Sequence, residues 1–258
     1  MPVNDKPTAI SDLGGKNIVV TGGEGLLGQA FVSAIRSAGG RCIVADIRLA
    51  TDLNRDTVHL DITNPEQVGS CLTSLAEAGI TLDGWVNNAY PRTQDWGCKF
   101  EDIPFDSWQQ NVHMHLNGYF LCSQAALEFM RQSGPAAGGV LVSIGSIYGS
   151  VGPDFSVYEG TDMTMPAAYS AIKGGLINLT RYLAAYYGPH GIRVNCLSPG
   201  GVIDRQPASF VKRYEERVPL RRMAQPSDIS SCLVFLLSDA AAYVSGQNLI
   251  VDGGWTAI

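Results

Sequence analysis

Short apolar runs alternate along this chain with segments in which apolar residues recur at helical spacing. The first such segment carries Leu27, Phe31 and Ile35 on one face, and Gly39-Gly40 follows as a stop signal. Runs of this kind predict strands, and segments with a period near 3.6 predict amphipathic helices. The regular alternation of the two therefore predicts a sheet whose strands are joined by helices.

The pattern divides the chain into ten elements. It predicts strands at Lys16–Thr21, Arg41–Ala45, Val58–Leu60, Leu82–Asn87, Val140–Ile144 and Arg193–Leu197. It predicts helices at Leu26–Ala38, Pro65–Ala78, Asp106–Arg131 and Ala167–Tyr187. Strands that alternate with helices favour a parallel sheet covered on both faces. We expect an α/β fold, a single doubly wound domain of the Rossmann type with a parallel sheet flanked by helices.

No shift in composition of the kind that marks a linker divides the 258 residues, so we expect one domain over 1–258. Residues 1–15 precede the first strand as an N-terminal extension. Residues 148–166 interleave glycine, proline, aspartate and aromatic residues, which is typical of a long ordered loop. Loops of that length are usually functional or mobile, so we expect 147–168 to be an inserted substrate loop.

Composition excludes several classes of partner. The net charge is −6 and charged residues make up 16% of the chain, which leaves no basic patch for nucleic acid. The six cysteines have no metal-like spacing, so we expect reduced, packed cysteines and no metal site. The first sixteen residues lack the apolar stretch of a signal peptide, and no run is long enough to span a bilayer. We therefore expect a cytoplasmic protein with no membrane partner.

A glycine-rich segment, Thr21-Gly22-Gly23-Glu24-Gly25-Leu26-Leu27-Gly28, joins the first strand to the first helix. At such a junction a negative pyrophosphate can sit on free backbone N–H groups at the positive end of the helix dipole. A Cβ atom would block that approach, which explains the glycines. The position of the loop, in the first turn of a βαβ unit, predicts a dinucleotide site that includes Gly22, Gly25, Leu27 and Gly28.

The second strand ends at Asp46, about 20 residues beyond the loop. A carboxylate at this place accepts hydrogen bonds from the adenosine ribose hydroxyls and repels a 2′-phosphate, so we expect NAD in preference to NADP. The alternatives are that Asp46 is a solvated loop residue, or that Arg48 pairs with a 2′-phosphate.

Tyr169 and Lys173 are four residues apart in a predicted helix, which places the phenol and the ammonium on one face. A free phenol has a pKa of about 10, and a nearby cation favours its phenolate. We therefore expect Tyr169 to act as an acid/base. A Tyr-x-x-x-Lys pattern alone also occurs by chance, so its meaning depends on the other motifs.

Further motifs accompany this pair: Asn87-Asn88-Ala89 after the fourth strand, Ser146 within Ser-Ile-Gly-Ser after the fifth, Pro199-Gly200 after the sixth, and Val251-Asp252-Gly253-Gly254 near the end. With the glycine loop, they make the chain resemble a short-chain dehydrogenase/reductase over nearly its whole length.

The resemblance implies roles for particular residues. Ser146 would hydrogen-bond the substrate oxygen, Tyr169 would transfer its proton, and Lys173 would hold the nicotinamide ribose and lower the pKa of the tyrosine. The remaining implied cofactor contacts are Asp61 and Ile62 beside the adenine, Asn88 and Ala89 along the cofactor, and Pro199, Gly200 and Val202 beside the nicotinamide. The expected substrate is a small alcohol or ketone.

The chain departs from the family pattern in places. His115 stands where the family has an asparagine that completes a water relay to the lysine, and we expect the imidazole to take over that relay. The alternative is a packed histidine, with the relay carried by Asn111 or Asn117. Tyr90 replaces the usual glycine after Asn-Asn-Ala and narrows the expected substrate site. Asp204 replaces a threonine that commonly contacts the nicotinamide amide.

The glycine loop is similar to that of the family's longer, sugar-nucleotide-acting branch, whereas the chain length resembles the shorter branch. The segment between Ser146 and Tyr169 is about ten residues longer than usual, and its Tyr158-Glu159-Gly160-Thr161 stretch resembles enzymes of bacterial surface-sugar pathways. Its hydroxyls and carboxylates, with Asp154 and Glu159 among them, suit a sugar or polyol. The alternative is a solvated loop without substrate contact.

These features together predict an NAD(P)-dependent oxidoreductase that interconverts an alcohol and a ketone. Two alternatives remain at the level of sequence: a dinucleotide-binding sensor or scaffold without turnover, and a sugar isomerase or dehydratase with transient oxidation. The resemblance also implies a homo-oligomer, a dimer or tetramer, formed through the helices predicted at Asp106–Arg131 and Ala167–Tyr187.

Overall fold

Seven parallel strands form one sheet in the order β3-β2-β1-β4-β5-β6-β7. The computed structural model describes residues 12–133 and 138–258, so residues 1–11 of the expected N-terminal extension lie outside it. The strands are β1 (Asn17–Thr21), β2 (Arg41–Asp46), β3 (Thr57–His59), β4 (Gly84–Asn87), β5 (Val140–Ile144), β6 (Arg193–Pro199) and β7 (Asn248–Val251). The strand order reverses between β1 and β4, and a doubly wound sheet opens its ligand crevice at such a point.

Helices cover both faces of the sheet. They are α1 (Leu26–Ser37), α2 (Pro65–Glu77), α3 (Phe105–Val112), α4 (Gly118–Ser133), α5 (Ala167–Tyr187), α6 (Ala208–Arg217) and α7 (Pro226–Leu237). One apolar core lies between the sheet and α2, α4 and α5, and a second lies between the sheet and α1 and α7. The five central strands, β1, β2, β4, β5 and β6, are buried on both faces, which explains why they read as continuous apolar runs.

The expected fold class is confirmed. The single helix expected over Asp106–Arg131 is wrong in detail, because a five-residue π-helical turn, His113–Asn117, separates α3 from α4. Such turns are rare and occur frequently at functional sites. Among the described residues, no helix is long and apolar enough to cross a membrane.

The long segment between β5 and α5 is ordered. It contains two short 3₁₀ turns, Ile147–Gly149 and Phe155–Tyr158. Tyr158 is buried against Phe210 of α6, with ring centroids 5.2 Å apart. The segment is therefore packed onto α6 and does not extend freely into solvent.

Candidate active site

The glycine loop forms a cradle at the start of α1. Gly25 is the N-cap of the helix, and no side chain bonds to the first N–H groups there. Gly22 has a φ of +63°, and a Cβ atom on it would lie 2.6 Å from Ala89 Cα. A Cβ on Gly28 would overlap the carbonyl oxygen of Gly22. The cradle therefore leaves uncapped N–H groups beside a surface without side chains, which fits a pyrophosphate.

Asp46 lies at the end of β2 and is buried, with 4% of its surface exposed. Its carboxylate accepts the backbone N–H of Glu24 at 3.1 Å and both arms of the Arg48 guanidinium at 3.0 and 3.1 Å. Burial opposes its ionisation, but these hydrogen bonds outweigh burial and hold the pKa of Asp46 below its usual value. The carboxylate expected to face the ribose is therefore charged and held by Arg48.

The other residues expected at the cofactor lie along the same edge of the sheet, at the carboxyl ends of the strands. Asn88 donates to the carbonyl oxygens of Thr21 and Gly22 at 2.9 and 3.0 Å, so it fixes the start of the glycine loop. Asp61 follows β3 and accepts two bonds from Thr63 at 2.8 and 2.9 Å. The rest of this set comprises the buried Ile62, Ala89, whose N–H donates to the Thr21 hydroxyl, and, after β6, Pro199, Gly200 and Val202.

Ser146 and Tyr169 meet beside this edge. Ser146 follows β5 and is buried, and its hydroxyl accepts the backbone N–H of Tyr148 at 3.2 Å. Tyr169 lies in the first turn of α5. Burial raises the pKa of the Tyr169 phenol, and a hydrogen bond with Ser146 offsets only part of that rise. Among the protein's own groups, burial therefore outweighs the hydrogen bond, and the phenol of Tyr169 is a weaker acid than free tyrosine.

Lys173 lies one turn after Tyr169 and is buried, with 3% of its surface exposed. Its Nζ donates to the carbonyl oxygen of Ile144 at 2.6 Å and lies 3.2 Å from Nε2 of His115. The same nitrogen is 5.4 Å from the centre of the Tyr169 ring. Burial lowers the pKa of Lys173 to about 7, so the ammonium and the neutral amine are both populated near neutral pH.

His115 lies in the π-helical turn and is fully buried. Burial, and then the charge of Lys173, hold the pKa of His115 well below 6.5, so the imidazole is neutral. Of the two asparagines considered as alternatives, Asn111 bonds Thr93 and Ser107, and Asn117 is exposed beside His113. The π-helical turn thus brings His115, and neither asparagine, to the lysine.

Comparison with known proteins agrees with this geometry. A family model described as enoyl-(acyl carrier protein) reductase matches residues 27–256. The chain is 34% identical to the post-translational flagellin modification protein A of Campylobacter coli, over 93% of this chain and 98% of the relative. The chain belongs to the short-chain dehydrogenase/reductase family.

Two other similar proteins have informative names. A trans-4-hydroxycyclohexanecarboxylate dehydrogenase of Sinomonas cyclohexanicum is 32% identical over 94% of this chain and 93% of its own length. A short-chain dehydrogenase of Leptospira borgpetersenii, solved with bound NAD⁺, is 33% identical, with a TM-score of 0.86 over 99% of both chains. This short-chain dehydrogenase/reductase is an enzyme that uses a nicotinamide dinucleotide.

Aromatic residues surround Tyr169 in this short-chain dehydrogenase. The ring centroids of Tyr90 and Trp96 lie 5.8 and 6.2 Å from that of Tyr169, and 5.9 Å from each other. Sequence singled out Tyr90, but it missed Trp96, which lies six residues further along the same loop. Tyr119 was also missed; its ring lies 4.8 Å from that of His115. The sequence did offer a signal for Tyr119, because it lies one helical turn after His115.

An ion pair and a hydrogen bond tie the inserted segment of the enzyme to α6. Asp154 pairs with Arg217 of α6 at 3.3 Å and accepts two bonds from Ser156. Glu159 is exposed, and its backbone carbonyl accepts a bond from Arg213. Met163 and Met165, with Tyr169, pack against the apolar cluster under the segment. The Asp154 carboxylate therefore joins the segment to α6, which favours the alternative of a loop without substrate contact.

Proposed function

We propose that this enzyme interconverts a secondary alcohol and a ketone on a ring-bearing substrate, with Tyr169 as the acid/base and NAD as the preferred cofactor. The observation that carries the proposal is the meeting of Ser146, Tyr169 and Lys173 at the edge of the sheet that holds the glycine cradle. A proton-transfer group beside a dinucleotide cradle is the arrangement that alcohol oxidation requires.

In the oxidation direction, the Ser146 hydroxyl orients the substrate oxygen and the Tyr169 phenolate takes its proton. The bound nicotinamide supplies the acceptor for the hydride that leaves the carbinol carbon, so the alcohol loses two electrons and becomes a ketone. Reduction runs through the same groups, with Tyr169 donating its proton to the carbonyl oxygen. Because burial raises the pKa of Tyr169, the phenolate needs cationic neighbours, and Lys173, whose Nζ lies 5.4 Å from the centre of the Tyr169 ring, is one of them.

Lys173 and His115 carry the proton onward in this proposal. With its pKa near 7, Lys173 accepts and releases a proton close to physiological pH. His115 contacts it through Nε2, and the Nδ1 of the same ring is buried without a hydrogen-bond partner among the described residues. An imidazole with one nitrogen on the lysine and the other free can pass a proton between its two sides. His115 thus takes the place of the family asparagine.

The cofactor preference rests on Asp46. Its charged carboxylate lies at the end of β2, where it would bind ribose hydroxyls and repel a 2′-phosphate. Arg48 would have to leave Asp46 to meet a phosphate, and that change would break a bidentate ion pair. The groups that would hold the remainder of the cofactor are Gly22, Gly25, Leu27, Gly28, Asp61, Ile62, Asn88, Ala89, Tyr169, Lys173, Pro199, Gly200 and Val202.

The aromatic surroundings support a ring-bearing substrate. Tyr90 and Trp96 present large apolar faces beside Tyr169, and such faces bind the C–H surface of a saturated ring by apolar contact. The relative named for a hydroxycyclohexane substrate supports the same class. The relative named for flagellin modification supports a sugar or other polyol ring.

The test follows nicotinamide absorbance for wild type and Tyr169→Phe against cyclic alcohols, sugars and the corresponding ketones, with NAD and NADP forms in parallel. We expect turnover to fall about 10²- to 10⁴-fold in the variant, with NADH affinity unchanged. Full turnover in Tyr169→Phe would overturn the acid/base assignment. Tightly bound NAD that is recovered unreduced, together with an isomerised substrate, would favour internal redox chemistry instead.

We also propose a homo-oligomer in the cytoplasm. Phe120 of α4 and the stacked Tyr182 and Tyr186 of α5 are 49%, 64% and 61% exposed, which supports an interface on these two helices. The six cysteines are all unpaired, which supports a reducing compartment. Analytical ultracentrifugation checks the first proposal, with a dimer or tetramer expected.

A further inference from the structure

The loop that follows β4 brings three side chains to the mouth of the site. Tyr90 and Trp96 face Tyr169, and the Trp96 indole N–H donates to the Tyr90 hydroxyl at 2.9 Å. The Arg92 guanidinium carbon lies 5.4 Å from the centre of the Tyr90 ring, in a cation–π contact. A single ring thus separates this guanidinium from the catalytic tyrosine.

A hydrogen-bond network fixes this loop against α3. The side chain of Asn111 accepts the backbone N–H of Thr93 at 3.0 Å and donates to its hydroxyl at 2.8 Å. The hydroxyl of Ser107 donates to Asp95 at 2.7 Å. Asn111 is buried, so the anchor is protected from water. The loop between these contacts is therefore preorganised, which lowers the entropy cost of binding a ligand.

Arg92 has no carboxylate partner among the described residues, unlike three arginines that form ion pairs. Arg48 pairs with Asp46, Arg217 with Asp154 and Arg222 with Asp228. No described carboxylate lies within ion-pair distance of Arg92, and the nearby Asp95 carboxylate bonds Ser107. Arg92 is exposed at the mouth. A guanidinium that is held in place and unpaired is ready to bind an anion.

The shape of that anion follows from the donor. One guanidinium offers two parallel N–H groups that match the two oxygens of a carboxylate. The adjoining aromatic faces of Tyr90 and Trp96 fit the ring between the carboxylate and the reacting carbon. We infer that Arg92 binds the carboxylate of a cyclic hydroxy acid, whose ring lies against Tyr90 and Trp96 while its hydroxyl reaches Ser146 and Tyr169. This inference rests on the proposed function for its reaction and adds the anionic group of the substrate.

The experiment measures binding without turnover. Cyclohexanecarboxylate and cyclohexanecarboxamide, which both lack the hydroxyl, are titrated by calorimetry into enzyme saturated with NADH. We expect wild type to bind the carboxylate at least about tenfold more tightly than the amide, because a charged hydrogen bond distinguishes them. In Arg92→Gln that ratio should fall towards one. Arg92→Lys should keep part of it, because the charge stays and the fork is lost.

Two variants make the result specific. Arg55→Gln changes an arginine that is 84% exposed in the loop between β2 and β3, and it should keep the wild-type ratio. Trp96→Ala should weaken both ligands by a similar factor, because it removes one aromatic face and leaves the contact between Arg92 and Tyr90. Circular dichroism and NADH affinity check that each variant folds and binds its cofactor.

Three outcomes would overturn the inference. The first is no preference for the carboxylate in wild type, and the second is an unchanged preference in Arg92→Gln. The third is a loss of NADH affinity in Arg92→Gln as large as its loss of carboxylate affinity, which would assign Arg92 to the cofactor. None of these outcomes depends on catalysis. Failure of the proposed function would instead show as turnover that survives Tyr169→Phe, so the two failures are distinguishable.

Discussion

Nζ of Lys173 and Nε2 of His115 lie 3.2 Å apart inside the protein, and burial lowers the pKa of both groups. Two bases in contact do not both carry a positive charge at neutral pH, so the pair titrates as one unit. The contact depends on the π-helical turn at His113–Asn117, which places the imidazole against α5. In the proposed mechanism, proton transfer therefore depends on the backbone geometry of α3 and α4.

The first prediction concerns the relay. His115→Leu should lower turnover by about tenfold or more, because Lys173 loses its partner for proton exchange. His115→Asn should recover part of that loss, because an amide oxygen can accept from the lysine. Steady-state rates from pH 6 to 10 measure both, with the exposed His190→Asn as the control. An unchanged rate and pH profile in His115→Leu would remove His115 from the mechanism.

The second prediction concerns stability and Lys173. Its pKa is about 7 in the folded protein and 10.5 as a free side chain. Between these values the unfolded chain binds the extra proton, so the free energy of unfolding should rise with pH, by up to about 1 kcal/mol per unit. Urea unfolding of the unliganded protein from pH 7 to 9 should show this rise relative to Lys173→Met. If the free energy of unfolding changed with pH in the same way for both proteins, the lowered pKa of Lys173 would be contradicted.

The third prediction concerns the glycine cradle. Gly25 has a φ of −78°, and a Cβ atom on it would lie 3.3 Å from the nearest atom, so Gly25→Ala should fold. The methyl group would stand where the pyrophosphate approaches, and NADH affinity should fall at least about tenfold. Gly69→Ala is the matched control, because its Cβ meets nothing within 4 Å in the middle of α2. It should keep NADH affinity and gain up to about 1 kcal/mol of stability.

The fourth prediction concerns cofactor choice. Asp46→Ser removes the repelling carboxylate and releases Arg48, so the ratio of kcat/KM for NAD to that for NADP should fall at least about tenfold. In Asp46→Ser/Arg48→Gln the NADP gain should be smaller, because no guanidinium is left to meet the phosphate. Initial rates with both cofactors measure the ratio. Unchanged selectivity in Asp46→Ser would assign the discrimination to another residue.

The fifth prediction tests whether the carboxylates of the inserted segment stabilise the fold or bind the substrate. Asp154→Ala and Glu159→Ala should leave KM for the substrate within about twofold of wild type, because the Asp154 carboxylate is held by Arg217 and Ser156 and Glu159 is exposed. Asp154→Ala should cost no more than about 1 kcal/mol, since its pair with Arg217 is partly exposed. Thermal unfolding and KM measured on the same preparations check this. A tenfold rise in KM for either variant would return these carboxylates to the substrate.

Sequence alone predicts much of this fold because the core strands are apolar on both faces and the helices have clear stripes. The site motifs around Ser146, Tyr169 and Lys173 were also recognisable, since their spacing is local. The helices α6 and α7 and the strand β7 were not predicted. α6 is mostly polar, α7 ends in the apolar run Cys232–Leu237, which hides its helical period, and β7 has only four residues, at the edge of the sheet.

What sequence could not supply depends on tertiary contacts. The hydrogen bonds that hold Arg48 on Asp46 and the packing of Trp96 on Tyr169 depend on the paths of loops, which carry no periodic signal. The raised pKa of Tyr169 likewise follows from burial, which a Tyr-x-x-x-Lys spacing does not reveal. The residues of the π-helical turn are also compatible with an α-helix, so their sequence does not reveal the turn.

The π-helical turn also has a consequence for how such a site can change over generations. A turn of this kind holds one residue more than an α-helical turn, so deleting one residue between His113 and Asn117 would rotate the preceding or following helix by about 100°. Such a deletion would separate the loop anchor at Asn111 from the imidazole at His115. In the proposed function, substrate recognition at Arg92 and proton transfer at His115 thus depend together on the length of one helical segment.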